Sequence, residues 1–288
     1  MNNALVISGG GSKGAFSSGF ESVDRKEYDL YVGTSVGALD IIMFAQGKHK
    51  EAVKLHSEFK NSNIYDKDPF NKKGNIKKSK IVVDFVKGKS SFSVTNKLLG
   101  VIRDNYSKEA HRRLKKTKKL VVIVSDMNYS EPVYISNKDY NWEEFTFWVW
   151  VSTLAYPFAE TVIVNGTEYA DGGFTVYLGV GYACKRCKNV RAIVLNQERR
   201  YKDFKNDNVV EGLLSILDVS MTANLKKDIA YGWHFIKKHN VNLEFVFMPR
   251  VITDQPMLFI PKEQVEMVEM GKKLANHTYF DKFKNDYE

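Results

Sequence analysis

Short, wholly apolar runs alternate along this chain with longer stretches in which apolar residues recur every three or four positions. Residues 4–7 (Ala-Leu-Val-Ile) and 120–125 (Leu-Val-Val-Ile-Val-Ser) have the length and branched side chains of strands buried on both faces. Residues 28–32, 190–196 and 241–248 read as further strands, and 132–135 as a companion near a sheet edge. Residues 161–164 and 167–170 bracket Asn165-Gly166, a hairpin signal because both turn positions accept positive φ.

Helical spacing fills most of the remainder. The apolar run from Ala38 to Ala45 predicts a buried helix, and helical character continues through 43–63 with a break near Gly47. Residues 77–87, 93–106 and 109–117 carry helical spacings, as in Leu98, Val101 and Ile102. Residues 142–154 predict a helix with Trp148, Val151 and Leu154 inward, and 177–187 another. Within 206–238 the stripe Val210, Leu213, Leu214, Leu217, Met221, Leu225, Ile229, Trp233 and Ile236 predicts a long helix packed on the sheet. Pro261 suits the first turn of a closing helix over 261–276. Strands and helices alternating in this way predict an α/β sheet with helices on both faces.

Three glycine-bearing stretches interrupt this pattern where chemistry is expected. In Val32-Gly33-Thr34-Ser35-Val36-Gly37-Ala38 a serine lies between two glycines, at the point where a strand meets an apolar helix. That is the pattern of a nucleophile elbow, which presents the serine hydroxyl on a sharp turn and leaves no room for neighbouring Cβ atoms. Ser35 is therefore the candidate nucleophile.

The second stretch is Ser8-Gly9-Gly10-Gly11-Ser12-Lys13-Gly14, between strand 4–7 and a short helix through Ala15, Phe16 and Phe20. Consecutive N–H groups and a helix N-terminus at one spot favour an anion. Gly9, Gly11 and Gly14 also satisfy G-x-G-x-x-G. A dinucleotide site expects an acidic residue at the end of the next strand, about 20 residues on. That strand ends instead in Gly33-Thr34-Ser35, with Asp29 at its beginning, so the loop is read as an oxyanion hole. The third stretch, Asp171-Gly172-Gly173, follows the hairpin directly. Its carboxylate is placed to accept the Ser35 proton, with two glycines allowing close approach.

Charge adds a local feature. The 288 residues carry a net charge of +9, yet residues 67–119 hold seventeen Lys and Arg against four Asp and Glu. This basic helical region lies between the elbow and the next strand, where it reads as an insertion or cap of about 66–119 beside the site. Such a surface attracts an anionic membrane or a nucleic acid. The N-terminus enters a strand at once, leaving no room for a basic region and an apolar stretch of about 7–15 residues, which predicts a protein kept in the cytoplasm. The most apolar run, 145–159, contains Pro157 and is short of the roughly 18–20 residues needed to span a bilayer. Cys184 and Cys187 form a lone C-x-x-C without a second pair, which argues against zinc.

Taken together and in this order, the glycine loop, the G-x-S-x-G elbow and the downstream D-G-G resemble the patatin-like phospholipase family. The segment Val151-Ser-Thr-Leu-Ala-Tyr-Pro-Phe158 before the aspartate is also similar to that family. The resemblance covers about residues 4–48 and 148–196. It implies a three-layer α/β/α fold with a central mixed, mostly parallel sheet, as a single catalytic domain over 1–288. It further implies Ser35 as nucleophile and Asp171 as base of a Ser-Asp dyad. Gly9, Gly10, Gly11, Lys13 and Gly14 would form the oxyanion loop, with Gly33, Gly37, Gly172 and Gly173 in support.

No metal or cofactor is implied. The substrate implied is a phospholipid or lysophospholipid, met at an anionic membrane surface, with no nucleic acid partner. His49, His56, His111, His234, His239 and His277 all lie outside the motifs, in keeping with a dyad rather than a triad. One departure is Phe174-Thr-Val-Tyr177 after the D-G-G, where the family often has an Asn-Pro pair. Competing readings are a nucleotide- or nucleic-acid-binding module and a catalytically silent member of the same fold.

Overall fold

The computed structural model describes residues 1–77, 91–198, 204, 209–253 and 255–276. Within them an eight-stranded mixed sheet carries the molecule. Its parallel centre runs β3 (Lys119–Asp126), β2 (Leu30–Thr34), β1 (Asn3–Ile7), β7 (Asn189–Val194) and β8 (Asn242–Phe247). Beyond β3 lie β6 (Thr167–Asp171) and β5 (Val162–Val164), antiparallel to their neighbours, and β4 (Glu131–Ser136) also pairs antiparallel with β3.

The apolar runs are central strands because both faces of each are covered. In β1, Leu5 and Ile7 enter one core while Ala4 and Val6 enter the other. In β3, Leu120, Val122 and Val124 face the first core and Val121 and Ile123 the second. The fold is therefore a three-layer α/β/α arrangement. On the first face lie α1 (Gly14–Asp24), α2 (Val36–Phe44), α3 (His49–Glu58), the short α4 (Asn61–Ile64), α5 (Asn96–Asn105), α6 (Lys108–Thr117), α7 (Trp142–Val151) and α10 (Pro261–Asn276). On the second lie α8 (Val180–Cys184) and α9 (Val209–His239).

The expected break near Gly47 is present: φ there is +77° and the chain restarts as α3. In the basic segment, α5 and α6 bury Leu98, Ile102, Ala110 and Leu114 in the first core and turn their charges outward. Most of the helix read over 77–87 lies outside the described residues.

Two helix readings change. The helix expected over 177–187 shrinks to Val180–Cys184, because the N–H groups of Tyr177 and Leu178 are taken by the Asp228 carboxylate at 2.8 and 2.9 Å. The long stripe of α9 packs on the sheet only in its second half, through Leu225, Ile229, Phe235 and Ile236. Of the stripe's first half, Leu213 is 62% exposed and Leu214 and Leu217 are only half-buried. The reason is length: 31 residues of helix extend about 46 Å. A six-residue strand such as β8 covers only about 20 Å. No helix among the described residues is long and apolar enough to cross a membrane.

The closing helix crosses α1 with almost no side chain between the backbones. A Cβ built on Gly271 would lie 2.2 Å from the Phe16 carbonyl oxygen, and one on Gly19 would lie 2.0 Å from that of Val268. Gly271→Ala should therefore push the helices apart. Helix propensity favours Ala by about 1 kcal/mol, whereas overpacking a tight contact costs about 1–3 kcal/mol. The expected net effect is a loss of up to about 2 kcal/mol, read as a lower urea midpoint at unchanged slope.

Candidate active site

The turn from β2 into α2 holds Ser35 at φ 57° and ψ −127°, outside the favoured regions for a side-chain-bearing residue. Such a conformation costs about 1–3 kcal/mol and persists only where its surroundings over-determine it. Here they do. A Cβ on Gly33 would sit 2.3 Å from the Gly37 carbonyl oxygen, and one on Gly37 would sit 2.4 Å from that of Ile7. Only glycines let α2 approach β1 and β2 this closely. The Ser35 N–H donates to Ser152 Oγ at 2.9 Å, and that hydroxyl donates onward to the Ile123 carbonyl at 2.7 Å. Ser152, in the linker after α7, thus fastens the elbow to β3.

Asp171 is the last residue of β6 and is 1% exposed. Its N–H donates to the Leu154 carbonyl at 3.0 Å, and its carbonyl accepts from Ser125 Oγ at 2.8 Å. Its carboxylate accepts from the Gly173 N–H at 2.8 Å. Burial pushes its pKa up to about 6, while hydrogen bonds from the Ser35 hydroxyl and the Gly173 N–H hold it down. Ser35 and Asp171, 136 positions apart, therefore meet in one desolvated site. Gly172 and Gly173 follow in a tight turn, where Asn224 of α9 donates to the Phe174 carbonyl at 2.8 Å.

The glycine loop uses most of its own N–H groups. Gly9 donates to the Tyr177 carbonyl at 3.1 Å, Ser12 to the Pro256 carbonyl at 2.8 Å and Lys13 to the Gly10 carbonyl at 3.2 Å. Gly14 N–H caps onto the Gly11 and Ser12 carbonyls. The N–H groups of Gly10 and Gly11 have no acceptor among the described residues. Gly11 has φ +56°, and a Cβ there would meet the Pro256 oxygen at 2.1 Å, so this turn needs glycine for both reasons. Lys13 is buried, with 3% of its surface exposed.

Several residues at the site carry no motif. The Tyr177 ring lies beside both the loop and the D-G-G turn, 3.2 Å from a Cβ built on Gly9 and 3.0 Å from one built on Gly173. It stands near the place where the Asn-Pro pair was expected. Asp228, raised to about 6 by burial, anchors the Tyr177 backbone from α9. Along the sequence it is one of three acids in this helix, with Glu211 and Asp218, and nothing marks it out from them. Ser152 falls within the small-residue segment already singled out, whereas Pro256 gives no signal at all. Cys184 and Cys187 are buried free thiols on the second face. No group of three His, Cys, Asp or Glu gathers to hold a metal among the described residues.

A family model described as patatin-like phospholipase matches residues 5–181. Among solved structures the chain is similar to VipD from Legionella pneumophila, with 13% identity and a TM-score of 0.49, over 95% of this chain and 66% of that one. It thus spans about two thirds of that structure's length. No curated protein matches.

The raised Asp171 pKa has a consequence for stability. The folded chain holds this proton more tightly than the unfolded chain, whose value is near 3.8. Stability is therefore lost as pH rises from about 4 to about 6 and stays lost above that, by up to about 2–3 kcal/mol. Asn cannot ionise and still accepts the Gly173 N–H. Asp171→Asn should melt above wild type at pH 7.5 and level with it at pH 4; identical melting curves at both pH values would contradict the assignment.

Proposed function

The chain belongs to the patatin-like phospholipase family, a family of lipid acyl hydrolases, and we propose that it cleaves fatty-acyl esters of phospholipids or lysophospholipids through a Ser35–Asp171 dyad. The observation that carries this reading is the pairing of a serine at a strained elbow with a buried carboxylate whose pKa is raised to about 6. A carboxylate in water is too weak a base for a serine hydroxyl. Desolvation strengthens it, and the Ser35 hydroxyl is near enough to lower its pKa, which puts the proton within its reach.

In the first half-reaction Asp171 takes the Ser35 proton as Ser35 Oγ attacks the ester carbonyl carbon. The negative charge on the carbonyl oxygen is held by the N–H groups of Gly10 and Gly11, a contribution of about 3–4 kcal/mol per donor in comparable sites. Collapse of the tetrahedral species breaks the ester C–O bond, and the departing alcohol takes the proton from Asp171. Water then attacks the acyl-serine, giving its proton to Asp171, which returns it to Ser35 as the fatty acid leaves. Gly9, Lys13 and Gly14 shape the loop without donating to the charge, since their N–H groups are already engaged. Gly33, Gly37, Gly172 and Gly173 permit the close backbone contacts.

The basic stretch 67–119 supports contact with an anionic lipid surface, where attraction weakens as salt screens it. Salt should therefore slow hydrolysis of phosphatidylglycerol vesicles more than that of a soluble ester. Ser35→Ala and Asp171→Asn should each lower hydrolysis of a short-chain p-nitrophenyl ester at least about 10³-fold, with circular dichroism unchanged. Wild-type kcat/KM should rise with pH through about 6 as Asp171 loses its proton. A fluorophosphonate should label wild type and not Ser35→Ala; activity surviving both substitutions would overturn the dyad.

A further inference from the structure

Beneath the elbow and the glycine loop lies a second polar cluster, made by three helices and closed to solvent. Asp40 on α2 is 0% exposed, as is Ser17 on α1, and His56 on α3 is 2% exposed. Asp40 Oδ1 lies 2.6 Å from His56 Nε2, and Asp40 Oδ2 lies 2.5 Å from Ser17 Oγ. The same Ser17 hydroxyl lies 2.7 Å from the Gly14 carbonyl, the first residue of α1. His56 Nδ1 has no partner among the described residues.

This is not a second nucleophile. The carboxylate stands between the hydroxyl and the imidazole, so the histidine cannot take the serine proton, and no substrate reaches a site with no exposure. Nor is it needed for packing alone. Apolar side chains of similar volume often fill such sites at no loss of stability, whereas breaking a buried polar set is costly. What the cluster does own is position. Gly14 ends the glycine loop and begins α1, and a Cβ there would lie 2.5 Å from Val36 Cγ2 and 2.7 Å from His56 Cε1. Val36 is the residue after the nucleophile. The distance from the loop N–H groups to Ser35 is thus set where α1 meets α2, and Asp40 bonds across that junction while His56 holds Asp40 from the third side.

We propose that Asp40 and His56 are positioning residues that clamp the oxyanion loop against the nucleophile, so that Gly10 and Gly11 aim at the charge formed on Ser35 attack. The rate effect rests on the dyad reading above; the clamp itself does not. A misplacement of about 1 Å costs up to about 10²-fold in rate, and the geometry of oxyanion donors matters in the transition state more than in substrate binding.

The test compares His56→Gln, which keeps a donor toward Asp40, with His56→Leu, which keeps volume and loses it. On a soluble p-nitrophenyl ester, His56→Leu should lose about 10- to 100-fold in kcat with KM within about two-fold of wild type, and His56→Gln should recover most of the loss. Fluorophosphonate labelling of Ser35 should slow in step. Independently of activity, amide exchange in the peptide spanning 9–14 should quicken in His56→Leu and not in His56→Gln, with exchange in β1 unchanged. Equal kcat and equal loop exchange in His56→Leu and wild type would overturn the proposal. A wild type inert to every ester, whose loop still loosens in His56→Leu alone, would overturn the dyad reading and support the clamp.

Discussion

Everything at this site depends on how closely one helix backbone lies on two strands. With Gly33 and Gly37 removing the intervening Cβ atoms, α2 rests against the carbonyl edge of β1 and β2, and the chain between strand and helix has no relaxed route. Ser35 is what remains at the bend, held at a positive φ by its own N–H bond to Ser152 and by the start of α2. The strain is local, and the restraint against it is distributed over β3, the linker after α7 and the glycine loop.

A buried carboxylate is the second demand, and it works against the fold. Asp171 sits where charge is disfavoured, offset by the Gly173 N–H and by the nearby Ser35 hydroxyl. Its backbone is gripped at both ends, by Leu154 and by Ser125, so the side chain has little freedom to escape toward water. Chemistry of this kind needs a group that would prefer to be protonated and a frame stiff enough to keep it in place. The cluster of Ser17, Asp40 and His56 belongs to the same frame, joining α1, α2 and α3 behind the elbow.

Much of this was legible in the residues because the relevant signals are local. Strands covered on both faces appear as unbroken apolar runs, and glycine motifs announce tight turns within seven residues, so β1, β2, β3 and the three motif loops fall where the pattern puts them. The misreadings share one cause, which is that their determinants are distant. Asp228 reaches back about 50 residues to take the N–H groups that would have begun a helix at Tyr177. Periodicity in α9 marks an apolar face but not where the sheet beneath it ends, so Leu213 reads as core and lies in solvent. His56 lies outside every motif, and nothing along the chain pairs it with Asp40, 16 residues earlier. Which loop amides remain unengaged is likewise a matter of acceptors at Tyr177 and Pro256, invisible until the chain is folded.

The reach of Asp228 and Pro256 has an implication for how such chains can diverge. The matched region ends at residue 181, yet the glycine loop leans on a carbonyl at 256 and the turn after Asp171 hangs from a carboxylate at 228. The last third is not an appendage to a finished motif region but part of its mould. Two chains with identical motifs and different endings would hold the same serine and the same aspartate at different angles, and inheritance of the three motifs alone would not carry the site intact.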